Sequence, residues 1–320
     1  MALTINTNPS ATLATMHLSK NNAALKQSLN RLSSGSRIVQ PVDDAGGLAV
    51  SMKLESSIVR LSGAEKNIQN AQSFLEVQDG VMTSASKILN RMIELKGLSS
   101  DVMKNSSDQE NYNREFQDLQ MQMYDLANLT FNGVSLFATT STSGGTGTFS
   151  NMNQVTTDRN VVVVNVSADG TSGPQVSVNK ALLLSALTID IDNLGNGVAA
   201  SDTTNSGSGT SGNITFASPN NSEADALDLW DISVGVFQQA IENIATLRAD
   251  NGGTMSRLRF AADDVALQKT NLIAANGRIK DVDIATESTN LAKYQVLVQA
   301  SASMLAQANS NADIAMMLLR

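Results

Sequence analysis

The 320-residue sequence predicts a mainly α fold, a long antiparallel coiled-coil helical rod formed by paired N- and C-terminal segments, with a small β-hairpin and loop tip in the middle of the chain. Three observations carry this expectation. Apolar residues recur every seven positions in both outer thirds, which is the signature of a helical seam. The two terminal segments are almost free of charge. The middle third breaks the helical pattern with β-like runs and stretches rich in Gly, Ser and Thr.

The opening segment carries Leu18, Leu25 and Leu32 on one seven-residue step, with Ala14 and Leu29 expected on the same stripe. Lys20 and Lys26 are its only interior formal charges before Arg31. At the other end the step runs Ile284, Leu291, Val298, Leu305, Ala312 and Leu319, and from Tyr294 to Leu319 the one formal charge is Asp313. A lone helix of this kind would leave its stripe in water. The plain expectation is that the two segments pair within one chain. The sharper one is that they complete their burial only against copies of themselves, because faces of Ala, Ser, Gln and Asn suit close helix packing on every side.

Pro41 cannot continue a preceding helix, and Asp43 is expected to cap the helix that follows. That helix carries the ladder Leu54, Leu61, Ile68, Leu75, Met82 and Leu89, flanked by Ile58 and Ile93, five steps or roughly 50 Å of helix. Ser107 and Glu110 have capping-box spacing for a further helix through Leu119, Met123 and Leu126, expected to end at Asn132 and Gly133. Residues 160–167 and 175–179 read as a hairpin with a longer loop around Asp169, Gly170, Gly173 and Pro174. Residues 139–150 and 201–218 read as exposed loops. The returning ladder is Trp230, Phe237, Ile244, Asn251, Leu258, Val265, Leu272 and Ile279. Asn251 with Gly252 and Gly253 interrupts it, at about 1 kcal/mol per glycine, and is expected to kink the helix. An antiparallel return sets Leu75 opposite Asn251.

Composition narrows the function. The chain is 4% aromatic and 42% hydrophobic, thin for a compact enzyme and usual for helical bundles with a seam of Leu, Ile, Met and Ala. A net charge of −8 argues against nucleic-acid binding. With no cysteine there is neither a disulfide framework nor a thiolate metal site. The opening residues lack the basic and apolar regions of a secretory signal, and no run approaches the ~20 apolar residues of a membrane span, so no membrane insertion is expected. His17 is the single histidine, which excludes a multi-histidine metal site. Gly144 to Gly147 has no strand-to-helix context for phosphate binding. Asp43–Asp44 and Asp263–Asp264 read as caps or solvated faces. No catalytic, cofactor-binding or metal-binding residue is expected, and no cofactor.

Two long segments resemble the bacterial flagellins. RLSSGSRIVQPVDDAGGLAV, Arg31 to Val50, is similar to the N-terminal signature of that family, and NGRIKDVDIATESTNLAKYQVLVQASASMLAQAN, Asn276 to Asn309, to the C-terminal one. The resemblance covers about Met1 to Phe137 and Leu227 to Arg320. Pro41 departs from the pattern, and IVQPVDD leans towards the hook-filament junction protein, the alternative identity. Gly46, Gly47 and Asn311–Ala312 depart as well, whereas LAQAN, Leu305 to Asn309, favours a filament flagellin.

The resemblance implies a structural subunit that polymerises into the flagellar filament. It divides the chain into an inner coiled coil at 1–42 and 280–320, a helical rod at 43–137 and 222–279, and exposed hairpin and loops at 138–221, with no large outer domain. Filament-core contacts are then expected at Leu18, Leu25, Leu32, Ile284, Leu291, Val298, Leu305 and Leu319. Rod packing is expected at Leu54, Leu61, Ile68, Leu75, Met82, Leu89, Phe237, Ile244, Leu258, Val265 and Leu272. Implied partners are further copies of the chain, a flagellar export chaperone, the filament cap and hook-junction proteins. Export through the flagellar type III apparatus, without a cleaved signal, would place the protein outside the cell. In members recognised by Toll-like receptor 5 a Leu-x-Arg-x-x-Glu-Leu motif makes the contact. Leu89, Arg91, Glu94 and Leu95 match it, with Glu115 on the next helix. An intracellular coiled-coil scaffold is the competing class.

Overall fold

The computed structural model describes residues 8–138, 161–190, 213–216, 227–230 and 232–318. They fall into two compact units, one from residues 1–59 and 268–320 and one from 60–267. Two long helices, α2 (Ala45–Ser99) and α5 (Val234–Lys280), contribute to both.

The first unit is built on α1 (Pro9–Ser34) and α6 (Ile284–Leu318). Pro9 occupies the first turn of α1, and the Asn8 side chain caps it by accepting from Ala11 N at 3.1 Å. The helix stops at Gly35, whose φ of 68° places it in the left-handed region open to glycine. Residues 35–37 then pair with 280–282. Arg37 N donates to Lys280 O at 2.7 Å, Val282 N to Gly35 O at 3.1 Å, and the Arg37 guanidinium to Ile279 O at 2.9 Å. This last bond covers a carbonyl at the end of α5 that has no intrahelical donor.

The cap of α2 is Asp44, not Asp43: Asp44 Oδ1 accepts from Gly47 N at 2.8 Å. A Cβ on Gly47 would lie 2.4 Å from Asp44 Oδ2 and 2.9 Å from Ile38 Cδ1, so glycine is needed for this closure. Early α2 and late α5 meet through Ser51 Oγ, which donates to Asn276 Oδ1 at 2.7 Å. Here Leu54 and Leu272 are only half-buried.

The second unit holds the deep core. Leu61, Ile68, Leu75, Met82 and Leu89 of α2 and Phe237, Ile244, Leu258 and Val265 of α5 are each almost wholly buried. Antiparallel register is fixed by Asn251 Nδ2 donating to Leu75 O at 3.0 Å and by Arg248 to Asp79 at 2.8 Å. Asn251 does not break the ladder. Its side chain is buried, its Oδ1 has no partner among the described residues, and α5 runs on through Gly252 and Gly253. Trp230, the expected first rung, precedes α5 and is exposed.

Between these helices lies α3 (Ser106–Ala127), whose capping box uses Asn105 and Asp108 rather than Ser107 and Glu110. It ends before Asn132–Gly133, which turn a two-residue hairpin between β1 (Thr130–Phe131) and β2 (Val134–Ser135). Both turn residues have positive φ, 50° and 79°, as a type I′ turn requires. The expected hairpin is β3 (Val161–Asn165) with β4 (Gln175–Asn179), paired antiparallel from Val161↔Asn179 to Asn165↔Gln175. A short helix, α4 (Leu183–Ala186), leads to a third hairpin of β5 (Thr188–Asp190) and β6 (Asn213–Thr215).

The chain re-enters the helices through residues 227–229. Gln120 brackets Leu227 with bonds at 2.8 and 3.2 Å, and Asn113 accepts from Leu229 N at 2.8 Å. Lys96 Nζ donates to Leu229 O at 2.8 Å. Phe237 is packed edge-on to Phe116, ring centroids 6.1 Å apart, and lies 4.8 Å from Phe216.

Candidate functional site

The surface that sets this chain apart is the pair α1·α6. The two helices are antiparallel and their backbones come within 8 Å of one another along the seam. Small residues at the contact, Ala11, Ala14 and Ser28 on α1 with Ser301 and Ala308 on α6, permit that approach. Polar cross-links set the register. Asn8 Nδ2 donates to Ala308 O at 2.9 Å, Asn21 Nδ2 to Ser301 Oγ at 2.8 Å, and the buried Ser28 hydroxyl to the buried Glu287 carboxylate.

Of the residues expected at filament-core contacts, Leu18, Leu25, Leu32, Leu291, Val298 and Leu305 lie half-buried along this intramolecular seam. Ile284 is exposed, and Leu319 lies outside the described residues. Leu29 is off the stripe and 48% exposed, because the seam occupies only the two heptad columns of Leu18 and Ala14. The seven-residue step of Leu18 marks one of those columns, and of the other only Ala14 is expected from the sequence. That second column, Asn21 and Ser28 facing Glu287 and Ser301, was legible as a seven-residue step of small and polar residues beginning at Ala14.

Pairing seals one face of each helix and leaves apolar residues exposed on the others, among polar ones such as Lys20, Asn22 and Gln299. On α1, Leu13 and Met16 are exposed, the latter 57%, and on α6 Val296 and Met304, the latter 67%. From Tyr294 to Ser310 there is no formal charge. Three hydroxyls on these faces are satisfied by their own helices, Thr12 by Asn8 O, Thr15 by Ala11 O and Ser303 by Gln299 O. Covering such a face therefore strands few polar groups. Thr12, Thr15, Met16, Ser19, Ala23 and one charged residue, Lys20, line an open groove along α1.

Asp43 braces the turn at the foot of the pair. Its carboxylate accepts from Val39 N at 3.1 Å, Gln40 N at 3.0 Å, the Gln27 amide, and Arg31 at 3.4 Å. The Gln40 N–H above all, helped by the Val39 and Gln27 bonds and the Arg31 charge, holds this carboxyl below its ordinary value despite its burial.

On the second unit, Arg91 donates to Glu115 at 2.8 Å and to Glu94 at 2.9 Å, and these bonds, Glu115 first, raise its pKa. Leu89 and Leu95 are fully buried, so only Arg91, Glu94 and Glu115 of the receptor-type motif reach the surface. Among the described residues there is no cluster able to hold a metal ion, and no helix is long and apolar enough to cross a membrane.

Residues 5–142 match the model of the bacterial flagellin N-terminal helical region, and residues 234–319 that of the bacterial flagellin C-terminal helical region. The chain belongs to the bacterial flagellin family. The flagellin of Bacillus subtilis (strain 168) is 31% identical over 320 residues, covering 99% of each chain. The flagellar filament 30.7 kDa core protein of Treponema maltophilum is 29% identical over 324 residues, covering 98% of this chain and 99% of its own. The flagellin of Listeria innocua is 30% identical over 316 residues, again 98% and 99%. A crystal structure of Bacillus cereus flagellin aligns at a TM-score of 0.41 and 22% identity, over 66% of this chain and 94% of that one. Within the flagellin family match, α1 falls in the N-terminal region and α6 in the C-terminal one.

Proposed function

We propose that this chain is a structural subunit that polymerises into the bacterial flagellar filament. The observation that carries the reading is the α1·α6 pair, sealed along one narrow seam, with Leu13, Met16, Val296 and Met304 exposed on its outer faces and no formal charge from Tyr294 to Ser310. Faces of this kind suit burial against copies of themselves: a formal charge there would sit near its own image in a helical stack, where a low dielectric magnifies repulsion. Kinship with flagellins and a filament core protein favours the filament subunit over the hook-junction alternative. The role is structural, and Leu18, Leu25, Leu32, Leu291, Val298 and Leu305 hold the pair from which core contacts are made. Export without a cleaved signal, and association with an export chaperone, the filament cap and junction proteins, belong to this proposal. So does recognition by Toll-like receptor 5, for which Arg91, Glu94 and Glu115 are the accessible groups.

Met16→Glu and Met304→Glu test it. Both residues are exposed in the isolated chain, so the variants should fold with an unchanged helical circular dichroism spectrum. In a polymer each would bury an unpaired carboxylate at a cost of several kcal/mol and forfeit about 1.5–3 kcal/mol of Met burial. Seeded growth, followed by light scattering and negative-stain microscopy, should be lost. Filaments of normal yield from both variants would reject these faces as assembly surfaces.

A further inference from the structure

Asn132 and Gly133 form the tip of the β1–β2 hairpin, and their surroundings differ from those of the other two Asn-Gly pairs among the described residues. We propose that Asn132 is a self-modifying site, converting without an enzyme to aspartate and isoaspartate, so that the hairpin records the age of the molecule. The reaction needs only water. The Gly133 backbone nitrogen, having given its proton to solvent base, attacks Asn132 Cγ. A C–N bond forms, the bond to the side-chain amide nitrogen breaks, and ammonia leaves, closing a five-membered succinimide. Water then opens one of the two imide bonds, giving aspartate when it adds at Cγ and isoaspartate when it adds at the main-chain carbonyl. The net change is amide plus water to carboxylic acid plus ammonia, with no redox step.

Three features select this site. A following glycine offers no side chain to shield its nitrogen, a condition shared by Asn132, Asn196, Asn251 and Asn276. Asn251 and Asn276 lie inside α5, where the next N–H is committed to the carbonyl four residues back. Their side chains are held too: Asn251 Nδ2 donates to Leu75 O within the core, and Asn276 Oδ1 accepts from Ser51. Asn132 is exposed, and no described residue hydrogen-bonds its side chain. It sits at φ 50°, in the left-handed region that asparagine tolerates, at a tip that projects beyond the pairs Phe131↔Val134 and Thr130↔Ser135 and the Leu136 N to Leu129 O bond at 3.1 Å. Asn196 lies outside the described residues. Asp169 before Gly170 is also exposed, but its carboxylate is a poorer electrophile and would isomerise without a mass change.

Isoaspartate at position 132 would run the backbone through one extra methylene and add a negative charge in a turn built for two residues. The Phe131↔Val134 pair could not keep its register, and Phe131 would lose its edge-on contact with Phe74, at 6.1 Å between centroids. The groove that these residues share with Asn67, Val162 and Val178 would open with it.

The test ages the full-length protein at mildly alkaline pH and body temperature. Peptide mapping follows, with fragmentation that separates aspartate from isoaspartate, and methyl transfer by an isoaspartyl methyltransferase serves as a second readout. The modified fraction at Asn132 should exceed that at Asn251 and Asn276 by about tenfold or more, an advantage of one factor of ten in rate. Gly133→Asn, which tolerates the left-handed conformation but shields the nitrogen, should slow conversion by a similar factor. The proposal is overturned if Asn132 stays intact in the wild-type chain while a synthetic peptide of residues 128–137 converts in parallel. It is equally overturned if Asn251 or Asn276 converts first.

Discussion

Replacing Asn251 by leucine should make the second unit more stable, although it removes a hydrogen bond seen in the structure. Asn251 is the polar rung of a buried column otherwise made of Phe237, Ile244, Leu258 and Val265, and it is 5% exposed. The bond it gives Leu75 O is worth about 1 kcal/mol net, while its buried and partnerless Oδ1 costs about 1–3 kcal/mol. Leu75 O stays within α2, where the helical ladder serves it, so losing Asn251 Nδ2 orphans nothing. A leucine would bury about 1.5–3 kcal/mol of apolar side chain, less about 1–3 kcal/mol if the site is too tight for its branch. The balance favours Asn251→Leu by about 1–2 kcal/mol. For a unit spanning residues 60–267 that is a rise of about 2–8 °C in melting temperature, read by calorimetry or circular dichroism on the monomer. A fall of several degrees would refute the reasoning, showing that the Asn251–Leu75 bond outweighs the buried acceptor. The retained asparagine then reads as a register device, as a single polar residue is in coiled coils.

Truncating the deep ladder should be costly throughout. Leu61→Ala, Leu75→Ala and Leu89→Ala should each lose about 2–5 kcal/mol, or about 4–20 °C in melting temperature, since all three are buried. Leu75 should not be the mildest, because the unbroken α5 opposite it gives no slack; a loss under about 1 kcal/mol there would contradict this. Asp43 should supply a pH-dependent brace. Its carboxyl titrates below its ordinary value near 3.8, so its contribution is complete above that pH and is lost as the pH falls through the lowered value. The melting-temperature gap between the parent chain and Asp43→Asn should be widest at neutral pH and close below about pH 4; a gap unchanged into strong acid would exclude the carboxylate as its source.

Much of the architecture was legible because a seven-residue step survives any local detail. The ladders from Leu61 to Leu89 and from Phe237 to Val265 emerge as the buried columns, and the β3–β4 hairpin emerges where alternation and turn residues coincide. Helix starts were less legible. Asp43 and Asp44 are both competent caps, and which one serves depends on Ile38 and the Arg37 turn, contacts distant in sequence or invisible to spacing. The Asn132–Gly133 dipeptide signalled a hairpin, but strands of two residues are too short to show alternation, and the helix pattern before them absorbed the signal. The assembly surface was half legible. Scarcity of charge was plain from composition, whereas the exposure of Met16 and Met304 follows from the narrowness of a two-column seam, which pairing alone reveals.

The Asn8–Ala308 bond joins residues 300 positions apart, and it sets a clock on folding. A chain that emerges from its N-terminus has α1 in hand early, yet the helix that covers its stripe begins only at Ile284. Until then Leu18, Leu25 and Leu32 have no native partner. Closing so long a loop adds little to the final free energy, because the entropic cost grows only with the logarithm of its length. It weighs on the rate, since non-local contacts must wait for the chain to be brought together. The terminal pair is therefore the last part of the molecule able to close. Until α6 has been made, the stripe of α1 stays unpaired, and apolar surface exposed in that way invites premature association.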